Sequence, residues 1–221
     1  MSRTRSRSKP PPNPKRVRAV WGSLFGCMTA VGGLFWALQG GPAPRLDGIA
    51  LPALVSAAGP STVESIFSTR APFQPTKWQA IVIHHSASVF GTPASIDAQH
   101  RASSLDGLGY HFVIGNGNGL DDGEVHVGFR WLDQLPGAHA AGPQGDWLNR
   151  NSIGICLVGD GNRRPFTDEQ IRRLAQLVDE LAQRCAIPRD RIYRHSDVAN
   201  TNDPGRFFPA AAFRDQLIRA R

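Results

Sequence analysis

The sequence predicts an α/β domain with a central mixed β-sheet flanked by helices, and two observations lead to this fold class. Short apolar runs rich in β-branched residues, such as WQAIVIHH (78–85), are separated by segments with helical periodicity. Strands that alternate with helices along a chain are typical of α/β folds. The predicted domain occupies residues 77–221, which is enough chain to bury a sizeable core.

Each element of this domain has a local signal. WQAIVIHH predicts a buried strand, and TPASIDAQHRASS (92–104) predicts a helix because a threonine before a proline is a favourable helix start. GYHFVIGNGNGLDDGEVHVG (109–128) predicts two strands joined through a Gly/Asn-rich turn. SIGICLVG (152–159) predicts a further strand bounded by glycine.

The clearest helix signal follows Thr167. TDEQ is a capping box, in which the Gln170 side chain reaches back to the Thr167 amide. The helix should end before Pro188, and RIYRH (191–195) predicts a short strand after it. Apolar residues recur at helical spacing between the cap and the proline, so one face should pack on the sheet: Ile171, Leu174, Leu177, Val178 and Leu181.

The net charge of +7 comes from the N-terminal end rather than from the predicted domain. Residues 1–18 hold seven of the 25 basic residues and none of the 18 acidic ones, and residues 19–39 hold no charge. Residues 40–221 therefore balance 18 basic against 18 acidic groups. Because nucleic-acid binding depends on a basic surface, a nucleic-acid partner is not expected.

The uncharged run AVWGSLFGCMTAVGGLFWAL (19–38) predicts a transmembrane signal anchor, since twenty residues at about 1.5 Å each span about one hydrocarbon core. The basic tail 1–18 would stay in the cytoplasm, with the domain beyond the inner membrane in the periplasm or extracytoplasmic space. The alternative is a cleaved signal peptide and a secreted domain, but its apolar region usually runs about 7–15 residues. Residues 39–76, rich in Pro, Gly and Ala, are expected to form a linker.

Candidate metal ligands come from the ends of two predicted strands. His84 and His85 should point to opposite faces because side chains alternate along a strand, so only one of them lines a given site. His195 ends another strand, and Asp203 lies on the loop beyond it. Two imidazoles and a carboxylate are good zinc ligands, and three protein ligands leave a fourth position for water. Polar residues at a sheet edge are the alternative, and spacing alone leaves both interpretations open.

Six motifs, taken in order, resemble the zinc-dependent N-acetylmuramoyl-L-alanine amidases of the type-2 amidase and peptidoglycan-recognition-protein family. The resemblance covers about residues 78–217 and implies a zinc amidase domain that hydrolyses the amide between the lactyl group of N-acetylmuramic acid and L-alanine in peptidoglycan. Some family members lack a zinc ligand and bind the wall without cutting it, so a non-catalytic peptidoglycan-binding module is the alternative. The motifs are IVIHHSAS, GLGYHFVIGNGNG, DGEVHVG, PGAHA, NSIGICLVGD and RHSDVANTNDPGRFFP.

The resemblance assigns roles to five residues. His84, His195 and Asp203 match the three zinc ligands of the family. Tyr110 in GYHF matches the tyrosine that faces the reacting water and the substrate carbonyl. Thr201 falls where many members carry lysine and others threonine, so a neutral hydrogen bond would replace a full charge.

Four further residues carry weaker expectations. His139 in PGAHA and Asn151 beside SIG resemble substrate-contacting positions. Cys156 stands where some members have a glutamate, and a neutral thiol is a poor substitute base. Asp197 is expected to hydrogen-bond the ring of His195, since imidazoles that bind metals usually donate their other N–H.

Overall fold

The computed structural model describes residues 49–51 and 64–219, and its centre is a six-stranded mixed β-sheet. In chain order the strands are β1 (Ile49–Leu51), β2 (Ala80–His85), β3 (Phe112–Ile114), β4 (Val125–Val127), β5 (Ser152–Leu157) and β6 (Ile192–Arg194). Across the sheet the order is β1-β4-β3-β5-β2-β6. β2 runs parallel to β5 and β6, and β3 parallel to β5, whereas β4 is antiparallel to β1 and β3. The predicted α/β domain with a mixed sheet is confirmed.

The predicted capping box is present at the start of the longest described helix. Thr167 Oγ1 accepts from the Gln170 N–H at 3.0 Å, and Gln170 Oε1 accepts from the Thr167 N–H at 3.2 Å. This helix ends at Arg184, before Pro188 as predicted. The α-helices are α1 (Pro93–Ala102), α2 (Phe129–Leu132), α3 (Gly145–Asn151), α4 (Asp168–Arg184), α5 (His195–Val198) and α6 (Ala210–Arg219), with 3-10 turns at Glu64–Phe67, Pro75–Lys77 and Arg189–Arg191.

The two faces of the sheet differ in chemistry. The apolar face of α4 packs with Phe112, Ile114 and Ile155 in the main buried cluster, and each such buried side chain contributes about 1.5–3 kcal/mol. Because side chains alternate along a strand, the opposite face receives the residues between them. His84 pairs in register with Cys156, and Cys156 with Val113, so a histidine and a thiol share this second face.

Parts of the expected linker 39–76 belong to the fold. β1 pairs with β4 at one edge of the sheet. Ile66, in the first 3-10 turn, is 1% exposed, and its carbonyl accepts from the Trp131 indole N–H at 2.7 Å. The linker prediction was therefore too long, because Pro/Gly-rich composition marks irregular backbone and does not separate a solvated segment from a loop packed on the domain.

The predicted transmembrane segment 19–38 lies outside the described residues, as does the basic tail 1–18. Within residues 49–51 and 64–219, no helix has the length and apolar character needed to cross a membrane.

Two buried histidines lie away from the predicted metal ligands. Burial lowers the pKa of His126, on β4, to about 4. Burial also lowers the pKa of His111 to about 3, although its ring is hydrogen-bonded to the Leu135 carbonyl. Both side chains are therefore neutral in the folded protein at neutral pH, whereas an unfolded histidine titrates near pH 6.5.

We predict that His126 makes the folded state sensitive to acid. Below about pH 6.5 the unfolded chain binds a proton at His126, whereas the folded chain binds it only near pH 4, so the free energy of unfolding falls as the pH decreases through this window. In a His126→Leu variant, the fall in the free energy of unfolding between about pH 7.5 and about pH 4.5 should be smaller by roughly 2–3 kcal/mol. Urea denaturation of both proteins across the range measures it, and identical pH slopes would contradict the prediction.

Candidate metal centre

Three candidate ligands meet at one edge of the sheet because β2 and β6 are parallel neighbours. His84 lies near the carboxyl end of β2, and His195 directly follows β6 as the first residue of α5. Asp203 returns to the same edge on the loop after α5. Within the described residues, these three form the group of His, Cys, Asp or Glu side chains able to hold a metal ion, with their ligand atoms within 4.8 Å of one another.

Asp203 is the centre of this group. Its Oδ2 lies 2.9 Å from Nδ1 of His84 and 2.9 Å from Nδ1 of His195. Its Oδ1 accepts from the His85 backbone N–H at 2.6 Å. The Asp203 backbone N–H donates to Thr201 Oγ1 at 3.2 Å, which leaves the threonine hydroxyl proton available to another acceptor. The carboxylate is therefore held in one orientation, with one oxygen facing both imidazoles.

The electrostatics of the group favour a charged Asp203 carboxylate beside a neutral His84 imidazole. Burial alone would raise the pKa of Asp203, but hydrogen bonds to His195 and His84 outweigh it and hold that pKa well below its usual range. Burial lowers the pKa of His84, and the contact with Asp203 offsets this only in part. An ionised carboxylate and an unprotonated imidazole are the forms that bind a metal.

The donor set fits zinc. Two imidazole nitrogens and one carboxylate oxygen are a common ligand set for a catalytic zinc ion. Ligand atoms around a tetrahedral zinc lie about 3.3 Å apart, given bonds of about 2.0–2.1 Å. The observed separations of 2.9 Å between Asp203 Oδ2 and each Nδ1 are close to that value, so small side-chain shifts would accommodate the ion.

Tyr110 and Cys156 border the candidate metal centre on the same face of the sheet. The ring of Tyr110 lies 5.2 Å from that of His84, and Tyr110 packs against the buried cluster that contains Cys156. Burial is the main cause that raises the pKa of Tyr110 and of Cys156 well above their usual ranges, and the charge of Asp203 adds to it. Both groups stay protonated at neutral pH, so Tyr110 can donate a hydrogen bond and Cys156 cannot act as a base.

A groove of about 710 Å³ runs beside His195. Residues 141–144 form one wall, and residues 195–201 form the other. Thr201 lies in this second wall, so its hydroxyl borders both the groove and the Asp203 backbone. Of the three candidate metal ligands, His195 lines this groove, which therefore borders the cluster on one side.

A family model described as N-acetylmuramoyl-L-alanine amidase (Amidase_2) matches residues 74–206, more than half of the chain. The chain belongs to this amidase family. The match contains His84, His195 and Asp203 as well as Tyr110, and it confirms the resemblance drawn from the sequence motifs. Comparison with curated protein sequences gives no match.

Solved structures of amidases share the fold of this family member. The N-acetylmuramoyl-L-alanine amidase LysC from Clostridium intestinale is 29% identical, with a TM-score of 0.55 over 68% of this chain and 92% of that chain. The endolysine amidase LysCS from the same organism has the same identity and TM-score, over 68% of this chain and 90% of that one. A selenomethionine derivative of AmpD is 21% identical, with a TM-score of 0.50 over 68% and 94% of the two chains, and shows the fold alone.

The two residues predicted to contact substrate lie in different places in this amidase-family domain. His139 is brought to the cluster, but it is buried behind His84, with its Nδ1 3.1 Å from His84 Nε2. Asn151 ends α3 at the amino end of β5, opposite the edge that carries the cluster. Its side-chain amide donates to the Trp147 carbonyl at 2.8 Å. The structure therefore does not bring Asn151 to the candidate metal centre.

The expected contact between Asp197 and His195 is wrong. The Asp197 carboxylate accepts from the Arg194 backbone N–H at 2.9 Å and from its guanidinium at 2.6 Å. The Asp197 carboxylate thus receives the backbone N–H that precedes the first turn of α5. Asp197 therefore orients the start of α5, and the Nε2 atom of His195 is buried without a hydrogen-bond partner among the described residues.

Asn149, which sequence reasoning missed, holds the PGAHA loop. Its Oδ1 accepts from the backbone N–H groups of His139 at 2.8 Å and Ala140 at 3.0 Å. Its Nδ2 donates to the Ala140 carbonyl at 2.8 Å. These partners lie nine or ten residues away in sequence, so no local spacing rule identifies them.

We predict that Asn149 stabilises the fold and that Asn151 hardly does. Asn149→Ala leaves two backbone N–H groups of the PGAHA loop without their acceptor and should lower the free energy of unfolding by roughly 1–3 kcal/mol. Asn151→Ala, the matched control on the same helix, removes one hydrogen bond near the surface and should cost about 0.5 kcal/mol or less. Urea denaturation measures both, and equal losses in the two variants would contradict the prediction.

Proposed function

We propose that this chain is a zinc-dependent N-acetylmuramoyl-L-alanine amidase. It would hydrolyse the amide bond between the lactyl group of N-acetylmuramic acid and L-alanine in peptidoglycan stem peptides. The convergence of His84, His195 and Asp203 beside an accessible groove carries the proposal. A module that only binds the wall needs no complete ligand set, so the intact set favours hydrolysis over recognition.

The metal would be held by Nδ1 of His84, Nδ1 of His195 and Oδ2 of Asp203. When bound, zinc supplies a Lewis acid that polarises a carbonyl and lowers the pKa of a water to about 7. The protein orients these donors. The Asp203 carboxylate accepts from the His85 backbone N–H, and the Asp203 backbone N–H donates to the Thr201 hydroxyl.

Tyr110 and Thr201 would stabilise the developing oxyanion. The Tyr110 hydroxyl stays protonated, so it donates a hydrogen bond to the substrate carbonyl oxygen, where negative charge grows during attack. The Thr201 hydroxyl offers a second, neutral hydrogen bond from the wall of the groove. The proton released by the attacking water must reach the leaving nitrogen of L-alanine. Cys156 is a neutral buried thiol and does not carry it, so the transfer falls to Asp203, Tyr110 or the water itself.

We also propose that the apolar run 19–38 anchors the chain in the inner membrane. The basic tail 1–18 would remain in the cytoplasm, and the domain would face the peptidoglycan outside the membrane. The support is the charge distribution of the sequence, with seven basic groups before the run and a balanced domain after it. Cleavage of the segment would instead release a secreted amidase.

We predict zinc-dependent cleavage of purified peptidoglycan sacculi by the full-length chain in detergent. The products should be glycan ends with free lactyl groups and peptides with a new L-alanine N-terminus, identified by mass spectrometry. Asp203→Ala should abolish release because it removes the third ligand. Chelation should abolish release because it removes the ion. Asp133→Ala is the matched carboxylate control, since Asp133 pairs with Arg70 rather than with a ligand.

The outcomes separate the two functions carried by this fold. Release in the parent chain that persists in Asp133→Ala supports the amidase. Tight sacculus binding without release would contradict it and identify a recognition module. A Tyr110→Phe chain tests the oxyanion role, with an expected loss of about 10²–10³ in kcat and unchanged zinc affinity.

A further inference from the structure

The ring of His139 occupies a narrow buried space directly behind His84. Two glycines form this space, because a Cβ atom at either Gly137 or Gly154 would collide with the His139 ring. Asn149 holds the His139 backbone through its Oδ1. His139 therefore has a specific place in the folded domain, because two glycines leave room for its ring and Asn149 holds its backbone. A solvated loop residue would need neither.

The ring of His139 has a polar partner at each nitrogen. His139 Nε2 faces the carbonyl oxygen of Ser152 at 3.5 Å, and His139 Nδ1 faces His84 Nε2 at 3.1 Å. A carbonyl oxygen only accepts, and a neutral imidazole carries one N–H. With its proton on Nε2, His139 donates to Ser152 and presents Nδ1 as an acceptor for an N–H on His84 Nε2.

Without a metal, His84 Nδ1 lies 2.9 Å from Oδ2 of Asp203, which only accepts, so Nδ1 carries the His84 proton. A metal held at Nδ1 would displace that proton and leave the remaining His84 proton on Nε2. His139 Nδ1, 3.1 Å away, is then the acceptor that this N–H needs, and a His139 proton on Nε2 faces the Ser152 carbonyl.

We propose that His139 is a positioning residue that accepts the Nε2 proton of His84 and so favours the form of His84 whose Nδ1 binds the metal. The proposal rests on the proposed metal centre and adds a residue that the ligand set itself does not include. His195 has no equivalent partner among the described residues, since its Nε2 is buried without a hydrogen bond. The two imidazoles of the site would thus differ, because among the described residues His84 has an acceptor for its Nε2 proton and His195 has none.

The first test measures zinc affinity by competition with a chelating indicator, using the full-length chain in detergent. His139→Leu fills a similar volume without an acceptor and should bind zinc roughly 10- to 100-fold more weakly, the usual effect of losing a partner of a metal-bound histidine. His139→Asn restores an acceptor near the position of Nδ1 and should recover most of the affinity. His126→Leu, which removes a buried histidine from a distant strand, should leave it unchanged.

The second test reads the tautomer directly and does not depend on any variant of His139 folding. In the zinc-loaded parent, ¹⁵N-histidine NMR should show the His84 proton on Nε2 and the metal on Nδ1, with assignment by a His84→Asn chain. Zinc on His84 Nε2, or a His139→Leu chain with parental zinc affinity, would overturn the proposal. A chain that binds zinc in this tautomer but does not cleave sacculi would instead overturn the proposed amidase function.

Discussion

The buried carboxylate of Asp203 is the interaction on which the rest of the site depends. One oxygen lies between the Nδ1 atoms of His84 and His195, and the other accepts from the His85 backbone. A buried charge is tolerated only when it is paired and hydrogen-bonded, and removal of one member of such a group costs about 3–5 kcal/mol. The carboxylate therefore joins the loop after α5 to strand β2, and it also holds the imidazoles of His84 and His195 in position.

The topology of the sheet explains why these groups meet. β5, β2 and β6 are parallel neighbours, so residues at their carboxyl ends come to one edge although they are far apart in sequence. α4 covers one face with apolar side chains. The opposite face is left for His84 and Cys156, with Tyr110 beside them and His139 behind. The fold thus separates the core that stabilises the domain from the polar face that carries the chemistry.

Features encoded by neighbouring residues could be predicted from the sequence. The strand at WQAIVIHH, the capping box at Thr167 and the opposed faces of His84 and His85 follow from local periodicity and helix chemistry, and the structure contains each of them. The ordered motifs then identified the family. The packed segment around Ile66 could not be predicted, because its burial depends on Trp131, far along the chain.

The missed contacts in the site have the same cause. The His139 ring contacts His84, which lies 55 residues away in sequence. Asp197 pairs with the guanidinium of Arg194, three residues away, rather than with the imidazole of His195. Sequence spacing reports which residue types are present, whereas the direction of a hydrogen bond depends on groups brought together by the sheet. The candidate ligand set could therefore be proposed from the sequence, whereas the contacts that support these residues could not.

The central claim is that His84, His195 and Asp203 form one four-coordinate metal site with an open position. Titration of the full-length chain with Co²⁺, followed by visible absorption, tests it most directly, because the spectrum of cobalt reports its coordination geometry. We expect saturation at a single equivalent, the intense bands of four-coordinate cobalt, and loss of those bands in Asp203→Ala. Weak six-coordinate bands, or an unchanged spectrum in Asp203→Ala, would contradict it.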